Sequence, residues 1–363
     1  MRAMQPGHHV VVTALGETPM DALDHHAHLA PQPPPDPATL APTDVIVRVA
    51  AAQVGWVDLI MMSGQYQHVP KPPYTPGLEY AGEIAWCGPA VTTCAVGDRV
   101  LIDGFTTGPR SLGAYQRWGG FATYAVAPAA AAIPIPGALT FDQACCLLGN
   151  YETAYHCLIT RGRLRAGETV LILGAAGATG LAAVDVARQV GATVIAVGRS
   201  PAKLAQVAAR GAAHTIALGD APLRDAVKAI APDGVDVVYD GVGGELSLAA
   251  LRCVRFGARY LIVGWAATPF VAAGKGGRGA PNANQLPTNL IMMKGLDVLG
   301  CPTVISTVVD PTLRPPRLAA VLDWAARGAI TPHVSHAFPL TAWQEAMTAK
   351  WRGEVVGGAV VHP

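Results

Sequence analysis

The sequence is poor in charge and lacks the patterns of membrane, secreted and nucleic-acid-binding proteins. Only 14% of its 363 residues are charged, and the formal net charge is +1. No run of lysine or arginine offers a surface for nucleic acid or anionic lipid. No stretch of about 18 apolar residues is free of proline, glycine and charge, and the apolar part of MRAMQPGHHVVVTAL is too short for a signal peptide. We therefore expect a soluble, cytoplasmic protein that binds neither nucleic acid nor membrane.

Cysteine is scarce and irregularly spaced, which argues against a disulfide framework. The seven cysteines are an odd number without a CxxC pair, and most stand in apolar sequence, where a free thiol behaves as a small hydrophobe. Three close histidines, His25, His26 and His28, could bind a metal. A surface loop without partner ligands is the simpler interpretation, and we assign them no function.

Apolar residues are abundant, at 51% of the chain, and their arrangement predicts two domains. A globular chain of this length can form two cores. From about residue 10 to 140, short apolar runs alternate with proline and glycine clusters, as in a β-rich domain. After residue 168, strand-like runs alternate with helical segments, which predicts a doubly wound parallel sheet. The strand-like runs after residue 330 are too short to fold alone and are expected to complete the first domain.

Residues 169–200 carry the pattern of a dinucleotide-binding site. The apolar run Thr169 to Leu173 leads into the turn GAAGATG, a helical pattern follows to Val190, and a second apolar run spans Thr193 to Val197. This order points backbone N–H groups and a helix dipole at a pyrophosphate. Ala175 replaces the first glycine of the fingerprint, and a glycine turn without ligand is the alternative. The candidate phosphate-binding residues are Gly174, Ala176, Gly177, Ala178, Thr179 and Gly180.

The end of the second strand favours NADPH over NADH. Enzymes specific for NAD place Asp or Glu there to bind the ribose hydroxyls. This chain has Arg199, Ser200 and, one turn later, Lys203. Two cations and a hydroxyl suit the 2′-phosphate of NADPH, which a carboxylate would repel. A solvated start of a charged helix is the alternative interpretation.

Six short segments are distinctive when taken together. They are YTPGLEYAG at 74–82, VGDRV at 96–100, GGFATY at 119–124, NYETAYHCL at 150–158, GETVLILGAAGATG at 167–180 and YDGVGG at 239–244. With these segments the chain resembles the medium-chain dehydrogenase/reductase superfamily, in its zinc-free quinone oxidoreductase and enoyl reductase branch. The resemblance implies an α/β protein with a GroES-like β domain (1–141 and 329–363) and a Rossmann domain (142–328), an active site in the cleft, and a homodimer joined through the edge of the Rossmann sheet.

The departures from the superfamily concern zinc. Zinc alcohol dehydrogenases that resemble this chain have a ligand Cys in the region of Gly55 and a ligand His where Leu78 stands. Their structural zinc uses four closely spaced cysteines, and residues 103–118 contain none. Because zinc needs four soft or borderline ligands, we expect no bound metal.

Without zinc to polarise an alcohol, the expected chemistry is hydride transfer to an acceptor that is already electron-poor. An enone, an enoyl ester or a quinone qualifies, because negative charge on its oxygen is delocalised and can be met by hydrogen bonds. One alternative is an NADPH-binding protein with little catalysis, like lens crystallins that resemble this family. A zinc-type alcohol dehydrogenase is disfavoured by the missing ligands.

Individual site residues follow from the resemblance. Tyr66 matches a tyrosine proposed as proton donor in related enoyl-thioester reductases, although water could donate instead and Tyr66 could serve packing or substrate contact. The expected substrate-binding positions are Gly55, Trp56, Tyr66, Asn150 and Asn289. Additional expected cofactor-binding positions are Thr153, Gly241, Val242, Val263 and Gly264. Thr153 and Asn289 could equally satisfy local helix hydrogen bonds.

Two long segments are candidate walls of the substrate site. Asp103 to Gly120 is rich in Gly, Ser, Thr and aromatic residues, and Trp265 to Thr288 is rich in glycine and proline. Long irregular segments inside a compact domain are often functional. Their conformations decide the shape of the pocket, so the composition leaves the identity of the acceptor open.

Overall fold

The computed structural model describes residues 4–111, 113–266 and 284–363. Within them the chain forms two compact units, which divide between residues 149 and 150 and again between residues 330 and 331. The first unit therefore combines the N-terminal part with Thr331–Pro363, and the second unit lies between. None of the described helices is long and apolar enough to cross a membrane.

Strands and helices are numbered along the chain. The strands are β1 Gly7–Val12, β2 Ala27–Gln32, β3 Asp44–Gln53, β4 Tyr80–Cys87, β5 Arg99–Ile102, β6 Tyr124–Pro128, β7 Ala132–Pro134, β8 Thr169–Leu173, β9 Thr193–Gly198, β10 His214–Ala217, β11 Val235–Asp240, β12 Val254–Ile262, β13 Asp297–Gly300, β14 Val334–Pro339 and β15 Gly358–His362. The helices are α1 Pro19–His25, α2 Trp56–Met62, α3 Phe141–Cys145, α4 Leu148–Tyr155, α5 Ala178–Val190, α6 Pro201–Ala209, α7 Leu223–Ile230, α8 Glu245–Ala250, α9 Thr288–Lys294, α10 Thr303–Val309, α11 Arg314–Ala326 and α12 Trp343–Trp351.

The first unit is built on a seven-stranded sheet. Its strands run in the order β14-β15-β3-β4-β5-β7, and β6 also pairs with β3. All pairs are antiparallel except β14 with β15. Strand β3 is buried along most of its length because β4, β6 and β15 all pair with it. The C-terminal strand β15 thus lies within this sheet, between β14 and β3.

The second unit is a six-stranded parallel sheet in the order β10-β9-β8-β11-β12-β13. Numbered from β8, this is the 3-2-1-4-5-6 order of a Rossmann domain. Val, Ile and Leu fill its central strands, because helices cover a parallel sheet and leave little surface for polar residues. The doubly wound parallel sheet predicted from the sequence is confirmed.

Two stretches differ from the simplest prediction or lie outside the description. The apolar pattern of residues 141–158 is typical of one helix, but α3 ends at Cys145 and the chain continues as α4 and a π-helical segment, His156–Arg161. Residues 103–111 and 113–120 are irregular apart from a short 3-10 turn, Gly108–Arg110. Most of the second candidate wall, residues 267–283, lies outside the described residues.

Candidate functional site

The glycine turn lies at the switch point of the parallel sheet. It follows β8, and the strand order reverses between β8 and β11, where doubly wound sheets bind their ligands. Gly174 opens the turn with a left-handed φ of +66°, which favours glycine. Gly177 then forms the N-cap of α5. The glycine turn therefore places the N-terminus of α5, a 13-residue helix, at the edge of the sheet where the carboxyl ends of its strands lie.

The packing of this turn fits a dinucleotide. A Cβ atom on Gly180 would lie 2.4 Å from the carbonyl oxygen of Gly174, so glycine is needed for α5 to approach the turn. No side chain from the described residues caps the N-terminus of α5, and its first N–H groups lack helical partners. A Cβ on Gly241 would meet nothing within 4 Å among the described residues. A pyrophosphate accepts hydrogen bonds from such N–H groups.

The three residues expected to select the cofactor lie after β9. Arg199 is exposed, and Ser200 forms the N-cap of α6. The Ser200 hydroxyl accepts from the backbone N–H of Lys203 at 3.4 Å, which leaves its own proton free to donate. Lys203 is partly buried in the first turn of α6. The chain carries no Asp or Glu from Gly198 through α6.

Asp240, which sequence reasoning missed, organises the next two loops. At the end of β11, its carboxylate accepts hydrogen bonds from the backbone N–H groups of Val242 and Gly243, both at 2.9 Å. Ser247 and Tyr260 also donate to this buried carboxylate. The carbonyl of Asp240 accepts from the N–H groups of Val263 and Gly264. The sequence signal that could have identified Asp240 is a single carboxylate between an apolar strand and the GVGG turn.

These contacts bring most of the expected cofactor-binding positions of the second unit to one edge of the sheet. A Cβ on Gly174 would lie 2.9 Å from the Val242 side chain, so the first turn touches the second. The N–H of Ala266 donates to the carbonyl of Gly241 at 3.3 Å, which joins the second loop to the third. The carboxyl ends of β8, β11 and β12 therefore present one continuous surface.

Three other expected positions lie on helices of the second unit. Asn150 is buried and Thr153 is partly buried, and both are in α4. Asn289 is exposed on α9. Their roles toward cofactor or substrate stay predictions.

In the first unit, a buried carboxylate ties together the segments expected to contact substrate. Asp58, on α2, accepts hydrogen bonds from the N–H groups of Gly77 at 2.9 Å and Leu78 at 3.1 Å. A Cβ on Gly55 would lie 2.5 Å from its carboxylate, which explains the glycine. Burial raises the pKa of Asp58 to about 6, although these N–H donors and the Arg110 charge oppose the shift.

Trp56 and Tyr66 flank α2 in the same unit. The Trp56 ring stacks on Trp351, with ring centroids 5.2 Å apart and planes 9° apart, so it packs α2 against α12. Tyr66 is partly buried in the turn after α2, and its ring centroid lies 6.0 Å from that of His68. Gly64, with a φ of +71°, makes this turn possible.

Residues 4–111, 113–266 and 284–363 contain no group of three or more His, Cys, Asp or Glu side chains that could hold a metal ion. The positions that resemble the zinc-ligand positions, Gly55 and Leu78, instead surround the Asp58 carboxylate.

A Rossmann sheet with a glycine turn at its switch point, in one chain with a β-rich unit, defines a pyridine-nucleotide-binding oxidoreductase fold. Residues 41–137 match the family model described as alcohol dehydrogenase GroES-like domain, and residues 178–313 match the model described as zinc-binding dehydrogenase. A quinone oxidoreductase-like protein 2 homolog from Nematostella vectensis is 32% identical over 89% of this chain and 82% of its own length. The chain belongs to the medium-chain dehydrogenase/reductase superfamily, in its quinone oxidoreductase-like branch.

Solved structures agree with this fold over nearly the whole chain. A probable oxidoreductase from Mycobacterium abscessus has a TM-score of 0.79 at 28% identity, covering 99% of this chain and 100% of its own. A mycobacterial protein complexed with NADPH has a TM-score of 0.77 at 23% identity, covering 98% of this chain and all of its own. An NAD-dependent alcohol dehydrogenase has a TM-score of 0.79 at 24% identity, covering 98% and 99%. At these identities the last two show the fold alone, so cofactor choice must be argued from this chain's own residues.

Proposed function

We propose that this protein is an NADPH-dependent, zinc-independent reductase of an activated C=C bond, in an enone or enoyl ester, or of a quinone. The observation that carries the proposal is the glycine turn at the switch point of the sheet, followed at the end of β9 by Arg199 and Ser200 instead of a carboxylate. Membership in the quinone oxidoreductase-like branch supports an electron-poor acceptor. The Gly55 and Leu78 side chains cannot bind zinc, which supports chemistry without it.

The charge after β9 supports NADPH. The 2′-phosphate carries close to two negative charges, and an exposed guanidinium can bind it through two parallel hydrogen bonds. Ser200 adds a neutral donor, and Lys203 adds a second cation one turn into α6. NADH would leave the Arg199 charge without a partner from the cofactor.

In the mechanism, bound NADPH supplies the hydride and the protein residues orient the cofactor and the acceptor. The first-turn N–H groups of α5 would bind the pyrophosphate, and the Asp240 network orders the loops at Gly241 and Val263, which would contact the rest of the cofactor. When hydride adds to the β-carbon of an enone, the π electrons move toward the carbonyl oxygen and form an enolate. Tyr66 then donates a proton to the α-carbon, and solvent returns the proton to the phenol. A quinone takes hydride and proton to give the hydroquinone.

We also propose that the protein forms a homodimer through β13. This strand ends the order of the described sheet, and large exposed hydrophobic side chains occur on the two helices that flank it in sequence. They are Met292, Met293, Ile305, Val308 and Val309. Burying such side chains against a second copy is favourable. Sedimentation equilibrium would report a dimer, and a monomer at micromolar concentration would contradict it.

The test of function is NADPH consumption with a medium-chain enone and an ortho-quinone in parallel, with products identified by mass spectrometry. A saturated ketone formed at the higher rate assigns the protein to C=C reduction. Hydroquinone alone assigns it to the quinone reaction and leaves Tyr66 with a packing role. NADPH binding without turnover of either acceptor contradicts the proposed activity and favours the alternative of a cofactor-binding protein with little catalysis.

A further inference from the structure

Arg110, in the irregular segment 103–120, is a buried cation with few partners. It is 7% exposed, and its Nε has no hydrogen-bond partner among the described residues. Nη1 makes one long contact, 3.4 Å, to the carbonyl oxygen of Gly104. Phe105 covers one face of the guanidinium, 4.8 Å from the ring centroid. A guanidinium that is removed from water needs more hydrogen-bond acceptors than these contacts supply. The arrangement therefore indicates that a ligand provides them.

The segment that carries Arg110 packs directly on residues 74–79. A Cβ on Gly104 would lie 2.2 Å from the carbonyl oxygen of Leu78, and one on Gly119 would lie 2.2 Å from that of Thr75. The N–H of Thr75 donates to the carbonyl of Arg117 at 3.1 Å. The segment that carries Arg110 is therefore held against the same backbone that donates to Asp58.

Two buried side chains next to this backbone, those of Asp58 and Tyr74, determine the electrostatic environment of Arg110. The Arg110 charge acts on Asp58 and opposes the rise in the pKa of that carboxyl, so the two groups interact electrostatically. The Tyr74 hydroxyl is buried, also lacks a partner among the described residues, and faces the Asp58 charge. Burial and then this charge raise the pKa of Tyr74, which keeps the phenol protonated as a donor. The Arg110 Nε–H and the Tyr74 O–H are thus donors without a partner among the described residues, and Asp58 balances the cation.

We propose that Arg110 is the electrophile of this reductase, with its guanidinium donating hydrogen bonds to the carbonyl oxygen of the acceptor. The proposal rests on the proposed function. As hydride adds to the β-carbon, the C=C electron pair shifts toward the carbonyl and the oxygen becomes negative. Arg110 stabilises that oxygen until the α-carbon gains its proton and the C=O bond forms again. Preorganised donors at developing charge are a major source of catalysis. When the acceptor is a quinone, Arg110 can stabilise the negative charge on a quinone oxygen in the same way.

The test uses a pair of probes that differ in charge and need no turnover. The anion of 4-nitrophenol resembles the enolate or hydroquinone anion, and nitrobenzene is a neutral molecule of similar shape. Both are titrated against the full-length protein with NADP⁺ present, and the ratio of the two dissociation constants is compared between variants. We expect Arg110→Gln to weaken binding of the anion about tenfold or more and nitrobenzene little, because a charge-assisted hydrogen bond is lost.

Matched variants keep the test decisive. Arg117→Gln removes an exposed cation from the same segment and should leave the ratio unchanged. Arg110→Lys keeps the positive charge but loses the planar guanidinium, and it replaces the glutamine variant if that variant does not fold. Its preference for the anion, expressed as the dissociation constant of nitrobenzene divided by that of the anion, should fall severalfold. An Arg110 variant that binds the anion like wild type, or loses both probes equally, overturns the proposal. A shifted ratio in a protein that reduces no enone or quinone would support the site and contradict the proposed reaction.

Discussion

Arg317 donates from Nε to Oε2 of Glu152 at 2.8 Å, and both side chains are completely buried. Arg314 donates to the other carboxylate oxygen at 2.9 Å, and Nη2 of Arg317 donates to Thr307 at 2.8 Å. The network joins α4, α10 and α11 within the second unit. One carboxylate therefore offsets two guanidinium groups, of which that of Arg317 is completely buried and that of Arg314 is partly exposed.

Removal of the Glu152 charge should destabilise the second unit strongly. Glu152→Gln leaves Arg317 buried without its counter-charge, which costs about 3–5 kcal/mol. Chemical denaturation followed by circular dichroism measures the loss. The control is Asp323→Asn, which breaks the exposed pair with Arg327 on α11 and should cost less than about 0.5 kcal/mol. Equal losses in the two variants would contradict the buried network.

His156 should make stability depend on pH. Burial, with the charges of Arg317 and Arg161, lowers the pKa of this histidine from its ordinary value of 6.5 to about 4 in the folded protein. The unfolded chain therefore binds the additional proton as pH falls from 6.5 to 4, so stability is full above pH 6.5 and declines across that window by about 3 kcal/mol at most.

Calorimetry of wild type and His156→Gln between pH 4 and 6.5 checks this dependence. The variant should take up about one proton less on unfolding, because it lacks the titrating imidazole. Equal proton uptake in the two proteins would show that His156 titrates normally in the fold.

Gly180 should be needed for cofactor binding. In Gly180→Ala the new methyl group meets the carbonyl oxygen of Gly174, so the first turn of α5 must move away from the glycine turn. We expect NADPH affinity to fall about tenfold or more, as measured by the fluorescence of bound NADPH. Gly219→Ala, where a Cβ meets nothing within 4 Å among the described residues, is the control and should bind normally.

Arg199 should set the preference for NADPH. Arg199→Ala removes the guanidinium that we assign to the 2′-phosphate, so the Michaelis constant for NADPH should rise about tenfold or more while that for NADH changes little. Lys228→Ala, which removes an exposed cation from α7, should change neither. A wild-type protein that prefers NADH would disprove the assignment.

Tyr66 should act in proton transfer. Tyr66→Phe keeps the ring and removes the acid, so kcat for the best enone should fall by about 10²-fold with a smaller change in KM. If the phenol donates the proton, turnover by the wild-type protein should be slower in D2O than in H2O, and this solvent isotope effect should differ in the variant. Full turnover in the variant would leave Tyr66 a packing residue.

The sequence predicted the features that depend on local pattern. Apolar runs, the glycine turn and the polar positions after β9 lie within one strand–turn–helix–strand unit, so periodicity alone located them. Asp240 and Arg110 were missed because their meaning depends on distant segments. Asp240 acts through Tyr260, and Arg110 lies in a segment whose Gly104 packs against the backbone of Leu78, a long-range contact that composition cannot show.

Strand β15 lies between β14 and β3 in the sheet of the first unit, where Val360 pairs with Gln53. Every residue of the second unit is synthesised between these two partners. As the chain leaves the ribosome, the Rossmann unit can therefore complete its own sheet first. During that time the edge of β3 that pairs with β15 has no partner strand. Chaperones that protect open strand edges would be needed most in that interval.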